Sequence, residues 1–134
     1  MFTDADAKLI ESGLKTGELR PFRPRIKQLG GVVGNNLRFM FRVNSYQLVY
    51  TESEGFAPEF EQLQTKHMVH LDRGKRMVEL WKQSRMRRMN RKKSAKMKEV
   101  KMYCWTITLM EVYDPYVRVR RTRGQASIIR LSRI

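Results

Sequence analysis

The sequence predicts an α+β fold in which a small antiparallel sheet, built from two hairpins and a central strand, packs on a long helix with a protruding basic half. Alternating apolar residues at 37–43 and an apolar, β-branched run at 102–112 are typical of strands. After Pro58, apolar residues instead recur at helical spacing. A dense basic block at 82–101 continues that helical pattern, so we expect the helix to project beyond the core.

Length and composition indicate one domain without a disulfide scaffold. A chain of 134 residues can bury a modest core. Its single cysteine, Cys104, favours a reducing or intracellular setting. We favour an organellar, mitochondrial matrix over the cytosol, because a lineage-specific organellar protein would explain the lack of a familiar motif. No apolar run approaches the ~20 residues that cross a bilayer, and early acidic residues disfavour a signal peptide. We divide the domain into a short helix and Pro/Arg arm (1–36), a core hairpin and helix (37–81), a basic helical extension (82–101) and C-terminal strands with a basic hairpin (102–134).

The first segment predicts a short capped helix. Thr3 and Asp6 have the spacing of a capping-box variant, and Leu9, Ile10 and Leu14 form an apolar edge. The acidic residues around this helix, and those at 52–61, form patches that we expect to face solvent or basic protein neighbours.

The arm that follows is held extended by Pro21 and Pro24, which also deny it helical hydrogen bonds. We expect its basic residues to reach phosphates while Phe22 packs against protein. The glycine-rich joint at 30–36 predicts a turn. It lacks the Lys-Ser/Thr of a P-loop and the strand-to-helix setting of a dinucleotide fingerprint, which disfavours nucleotide binding.

The core segment predicts a hairpin and a helix. Strands at 37–43 and 46–51 flank a turn at Asn44-Ser45, with Arg38 and Arg42 sharing an exposed face. The pattern of an RNA-recognition motif is absent. A helix from Pro58 to about residue 98 would be ~60 Å long. Gly74 is the obvious place for a break, and the pattern leaves open whether one helix or two is present.

The last segment predicts a central strand at 102–113 with Trp105, Ile107 and Leu109 in the core. Asp114-Pro115 predicts a turn. A second hairpin, pairing 116–121 with 126–131 around 122–125, carries arginines throughout.

No motif indicates an enzyme or a bound cofactor. His67 and His70 have helical spacing but lack the further ligands of a zinc site, so we interpret them as helix residues near the core boundary. Cys104 lies in an apolar strand and is interpreted as a buried hydrophobe. We therefore predict no catalytic, metal or cofactor-binding residue, and no small-molecule substrate.

Charge points to nucleic acid. The 28 basic and 13 acidic residues give a formal charge of +15, and 17 of the basic residues are arginines, whose planar fork suits phosphate. We predict a structural RNA-binding component of a ribonucleoprotein particle, a ribosomal protein above all, with rRNA and neighbouring proteins as partners. The predicted RNA-binding residues are Arg20, Arg23, Arg25, Lys27, Arg38, Arg42, Lys82, Arg85, Arg87, Arg88, Arg91, Lys92, Lys93, Lys96, Lys98, Arg118, Arg120, Arg121, Arg123, Arg130 and Arg133.

Two alternatives remain open from the sequence. The first is an accessory subunit of a large organellar protein complex, of the respiratory or ATP synthase type, whose basic face meets acidic subunits or anionic lipid headgroups. The second, a free DNA-binding regulator, is weaker because no helix-turn-helix or zinc module is visible. The sequence identifies neither the RNA nor the subunit.

Overall fold

The computed structural model describes residues 2–91, 98–119 and 128–129, and for 89–91 and 128–129 it describes the backbone alone. The α+β class and the antiparallel sheet are confirmed. The helices are α1 (Asp4–Glu11), α2 (Pro58–Gln62), α3 (Gln64–His67) and α4 (Leu71–Arg91). The strands are β1 (Gly17–Arg20), β2 (Gln28–Val33), β3 (Asn36–Thr51), β4 (Gly55–Phe56), β5 (Lys101–Arg118) and β6 (Ile128–Ile129).

Two long strands, β3 and β5, form the centre of the sheet. The strand order is β1-β5-β3-β2-β6, and the short β4 pairs with the end of β3. The β3–β5 ladder runs from Asn36 opposite Arg118 to Thr51 opposite Lys101, with four register irregularities. Such irregularities bend strands and increase their twist. The central position predicted for the 102–113 strand is confirmed, since β5 lies between β1 and β3.

The turn predicted at Asn44-Ser45 is wrong. Residues 36–51 form one continuous strand, and the register shift between Val43 and Ser45 absorbs the irregularity. The hairpin turn lies instead between β2 and β3, where Gly34 has a φ of +61°. A two-residue hairpin turn needs positive φ, which glycine supplies and Asn44-Ser45 does not.

The C-terminal turn and hairpin are also misplaced. Asp114-Pro115 lies within β5, which continues to Arg118. Ile128–Ile129 pairs with Gly30 and Gly31 of β2, two strands away from β5. The pairing predicted for the second hairpin is therefore wrong at these two residues, and residues 120–127 and 130–134 lie outside the described chain.

The helical region breaks before Gly74 rather than at it. It divides at Leu63 and again at Met68, which has a left-handed φ of +57°. Gly74 lies inside α4, where a Cβ would come within 2.8 Å of the Phe60 ring, so glycine serves close packing there. The basic extension is helical as far as Arg91, whereas 98–100 are not helical and Lys101 already belongs to β5.

Apolar side chains pack on both faces of the sheet centre. Phe2, Ile10, Phe39 and Trp105 belong to the cluster that contains α1. A second cluster joins the sheet to α2–α4 and contains Leu19, Val49, Phe60, Val78 and Met102. The predicted burial of Trp105 and Ile107 is confirmed, and Leu109 is partly buried. Ile10 of the predicted apolar edge is buried together with Ala7, whereas Leu14 is 64% exposed because α1 ends at Glu11, before it reaches this residue.

Candidate functional site

The arm at 21–27 crosses the surface between β1 and β2, and the core holds it in place. The indole Nε1 of Trp105 donates a hydrogen bond of 3.0 Å to the Phe22 carbonyl oxygen. The two rings also meet edge to face, with centroids 5.7 Å apart. Phe22 packs against protein as expected, yet 48% of it stays exposed. The arm therefore presents an aromatic ring and its charges from a fixed position.

Three cations of the arm are exposed. The Arg23 guanidinium lies over the Tyr103 ring, 5.8 Å from its centroid, and a hydrogen bond with Tyr103 raises the pKa of Arg23. Arg25 and Lys27, nearer the end of the arm, are exposed as well. The Lys27 carbonyl oxygen accepts a hydrogen bond of 2.7 Å from the Val43 amide, which ties this end of the arm to β3.

A groove of about 450 Å³ separates the start of the arm from the second half of α4 and the chain that leads into β5. We call it the helix groove. Its apolar lining includes Phe22, Trp81 and Val100. Its charged lining consists of Arg85, Arg88, Lys98, Lys101 and Glu99.

The acidic residues at this groove are engaged with protein donors. Glu99 accepts a 2.6 Å hydrogen bond from the Ser53 amide, which lowers the pKa of Glu99. Glu52 accepts from the Val100 amide at 2.6 Å and from Arg85, and these bonds lower its pKa. Arg85 also reaches the Lys98 carbonyl oxygen at 3.3 Å. The region 98–100 is thus held by hydrogen bonds to α4 and to Glu52 and Ser53, which follow β3, while Arg88 remains exposed.

Three of the predicted RNA-binding arginines instead lie in internal ion pairs. The Arg38 side chain is 4% exposed, pairs with Asp4 and Glu11, and lies 4.5 Å from the Tyr116 ring centroid. The expectation that Arg38 shares an exposed face with Arg42 is wrong, because carboxylates of α1 cover it.

Arg20 and Arg85 show the same arrangement. Arg20 lies 3.7 Å from Glu18 and over the Phe2 ring, and Arg85 pairs with Glu52. The acidic residues of the first segment thus pair with basic residues of the same chain, although the Asp4 side chain is still 60% exposed to solvent as expected. This placement argues against direct RNA contact by Arg20, Arg38 and Arg85.

The remaining predicted residues divide by position. Arg42, Arg87, Arg88, Lys98 and Arg118 are exposed, and Lys82 is partly exposed beside Glu79 at 3.4 Å. Arg91 lies in α4, with its side chain outside the description. Lys92, Lys93, Lys96, Arg120, Arg121, Arg123, Arg130 and Arg133 lie outside the described residues. Sequence reasoning missed Lys101 and Trp81 as groove residues, since a strand start and an apolar stripe both suggest core.

The two histidines form hydrogen bonds within the fold, and the single cysteine is buried in it. His67 is buried, with Nε2 donating to the Phe60 carbonyl oxygen at 2.7 Å and Nδ1 accepting from the Val69 amide at 3.0 Å. His70 faces Gln64 instead. Burial raises the pKa of Cys104 to about 11, so this thiol stays protonated at neutral pH. Among the described residues, no group of three or more histidine, cysteine or acidic side chains is arranged to hold a metal ion.

No family model matches the chain, and no curated protein is significantly similar to it. Within residues 2–91 and 98–119, no helix has the length and apolar character needed to cross a membrane. The chemistry of the exposed surface therefore carries the functional argument.

Proposed function

We propose that this protein is a structural RNA-binding component of a ribonucleoprotein particle, in the manner of a ribosomal protein, and holds folded RNA by contacts with phosphates. The observation that carries the proposal is the meeting of exposed cations from separate elements at one surface. At the helix groove, α4 supplies Arg88 and the chain that leads into β5 supplies Lys98, across from Phe22 at the start of the arm. Arg23 and Arg25 of the arm and Arg87 of α4 are exposed as well. Arginine and lysine contacts with phosphates supply most non-specific affinity for nucleic acid.

Ion pairs within the chain leave the positive charge of this surface uncompensated. Asp4, Asp6, Glu11, Glu18 and Glu52 each pair with a basic residue of the core or its edge. Each of these carboxylates therefore offsets a basic residue beside it, and the exposed cations of the arm and α4 keep their positive potential. Such a surface favours a polyanion over an acidic peptide of few charges.

Charge reversal on α4 tests the proposal. Arg87→Glu with Arg88→Glu should weaken binding to rRNA and flatten its salt dependence by about 0.7 to 0.9 in the log-log slope for each lost phosphate contact. Lys75→Glu with Arg76→Glu is the matched control, because it makes the same charge change on exposed residues nearer the start of the same helix. Fluorescence anisotropy over a salt series measures both effects.

Two results would count against the proposal. One is equal loss in both double variants, which would indicate a response to net charge alone. The other is sedimentation of the tagged protein in a peak that RNase leaves unchanged.

An accessory role in a large organellar protein complex is the second candidate. Leu80 is 63% exposed on α4, and Met86 is also exposed on this helix, so both offer apolar surface to a protein neighbour. A packed protein interface should resist moderate salt, whereas phosphate contacts should not. Salt-resistant sedimentation in a complex without RNA would favour this candidate. A mitochondrial matrix location remains part of the proposal for either.

A further inference from the structure

A second cavity, of about 420 Å³, lies between the arm and β3. We call it the arm pocket. Pro24, Arg25, Ile26 and Lys27 form its arm side, and Val43, Asn44, Ser45 and Tyr46 form its strand side. The pocket lies on the opposite end of the arm from the helix groove, so the two cavities flank one short basic segment. Its volume lies in the range of small-ligand sites.

Fixed hydrogen bonds shape the strand side of this pocket. Asn44 donates from Nδ2 to the Thr108 hydroxyl at 2.6 Å, and its Oδ1 accepts from Arg42 Nε at 3.1 Å. The register shift between Val43 and Ser45 lies at the same place, where β3 departs from regular pairing with β5. The strand irregularity at Asn44-Ser45 thus forms a wall of the pocket.

Tyr46 gives this wall an exposed aromatic ring. It is 47% exposed, and the buried Tyr103 supports it edge to face at a centroid distance of 6.1 Å and an interplanar angle of 73°. Arg23 lies over the same Tyr103 ring. An exposed ring held by a buried one is suited to stacking with a planar group, because little side-chain freedom is lost on binding.

Charge distinguishes this pocket from two other cavities. Arg25 and Lys27 line it, and none of the described residues in its lining carries a carboxylate. The cavity beside α2 includes Glu61, and the cavity near the end of β5 includes Glu11 and Asp114. Carboxylates in those places disfavour phosphate. Cations beside an exposed aromatic ring instead match a nucleotide, which carries both a phosphate and a π face.

We infer that the arm pocket binds an unpaired nucleotide of single-stranded RNA, with its base stacked on Tyr46 and its phosphates near Arg25 and Lys27. This inference rests on the proposed function and adds a substrate class, since phosphate contacts alone do not distinguish paired from unpaired RNA. The recognition is sequence-tolerant, because every base has a π face.

The test compares two RNA probes on the full-length protein. One is a fluorescent oligouridine, which is single-stranded, and the other is a blunt RNA duplex. Tyr46→Ala should weaken oligouridine binding by about 5-fold to 100-fold, the usual range for loss of one stacked base, and leave duplex binding unchanged. Tyr46→Phe, which keeps the ring, should retain wild-type binding. Leu80→Ala, which removes an exposed apolar side chain from α4, should change neither the affinity for oligouridine nor that for the duplex.

A second measurement needs no variant and so does not depend on the folding of Tyr46→Ala. Photocrosslinking of a 4-thiouridine oligonucleotide to the wild-type protein should label the peptide that contains Tyr46. Labelling confined to α4 would overturn the inference.

The outcomes separate the inference from the proposed function. If the wild type binds duplex and Tyr46→Ala binds oligouridine as well as the wild type does, the arm pocket is not a base site, and the phosphate-binding proposal stands. If the wild type binds neither RNA, both proposals fail. Tyr46-dependent binding to anionic vesicles without oligouridine binding would also overturn the inference, because it would assign the pocket to lipid headgroups.

Discussion

At the scale of single residues, the sequence shows which side chains are charged but not which of them are exposed. Arg38 and Arg42 have the same sequence surroundings, two residues on either side of Met40 in one strand. One is buried against the carboxylates of α1 and the other is exposed. The distinction depends on where α1 packs, which local pattern does not encode. A sequence can therefore indicate a basic surface without telling which arginines belong to it.

His67 predicts a pH-dependent stability. Burial lowers its pKa, and both ring nitrogens are already engaged as one donor and one acceptor. A proton on Nδ1 would face the Val69 amide hydrogen, and Lys15 nearby adds positive charge. The unfolded chain, with an ordinary histidine pKa of about 6.5, therefore binds more protons than the folded chain just below that pH. The free energy of unfolding is therefore retained above a pH of about 6.5, the pKa of the unfolded chain, and falls as the pH drops from there through the lower pKa of His67 in the folded chain.

Urea unfolding at a series of pH values checks this prediction. The free energy of unfolding of the wild type should fall between about pH 7 and pH 5 relative to that of His67→Gln, which cannot titrate. The difference between the two curves isolates His67 from the carboxyl groups. Parallel curves for the wild type and His67→Gln would contradict the prediction.

At the scale of elements, strand and helix types were predictable and their connections were not. The alternating and apolar runs of β3 and β5 have clear sequence signals, as does the Thr3 cap of α1, whose hydroxyl accepts from the Asp6 amide at 3.1 Å. The turn predicted at Asn44-Ser45 was wrong because polar pairs of this kind also occur at strand irregularities. Glycines in β2 suggested a turn, although Gly31 is a strand residue packed under an aromatic ring.

Gly31→Ala should destabilise the β2–β3 pair. A Cβ at this position would overlap the Phe39 ring, which is fully buried and has no free direction to move. We expect a loss of about 1 to 3 kcal/mol in the free energy of unfolding, typical of overpacking. Phe39→Leu makes room for the added Cβ. The double variant should therefore lose less free energy of unfolding than the sum of the losses in the two single variants. Simple additivity in this double-mutant cycle, measured by urea unfolding, would argue against the clash.

At the scale of the whole molecule, β5 unites the two apolar clusters. Trp105 packs toward α1, while Met102 and Cys104 pack toward α2–α4. A strand buried on both faces explains why the 102–112 run lacks strict alternation. The same strand holds the arm through the Trp105 indole, so the position of the candidate interface depends on the core.

Trp105→Ala should lower stability and RNA affinity together. Truncation of a buried tryptophan costs about 3 to 5 kcal/mol, and loss of the Nε1 donor releases the arm. Because β5 belongs to both clusters, the wild type and the variant should each unfold in a single transition by circular dichroism and tryptophan fluorescence. Trp105→Phe keeps a ring but not the donor, and it should retain more stability than affinity. Two separate transitions in the wild type would contradict a united core.

For the candidate site, the sequence predicts segments rather than single side chains. Charge density predicts the arm and the second half of α4, where Arg23, Arg25, Lys27, Arg87 and Arg88 are exposed. The helix groove and the arm pocket instead arise from contacts between distant segments. Tyr46 illustrates the limit, because it lies in a strand whose other aromatic residues, such as Phe39 and Phe41, are buried. Its exposure depends on the path of the arm across β3, which the sequence does not specify.

The long β3–β5 ladder has a consequence for how the chain reaches its native state. Strand β3 ends at Thr51 and its partner begins at Lys101, so every pair in the ladder requires closure of a large loop that contains α2–α4. Non-local pairing of this kind slows folding relative to helical domains of equal size. During synthesis, β3 and most of the basic helix emerge before β5 is available. We therefore expect slow refolding, with an unpaired aromatic strand as its vulnerable stage.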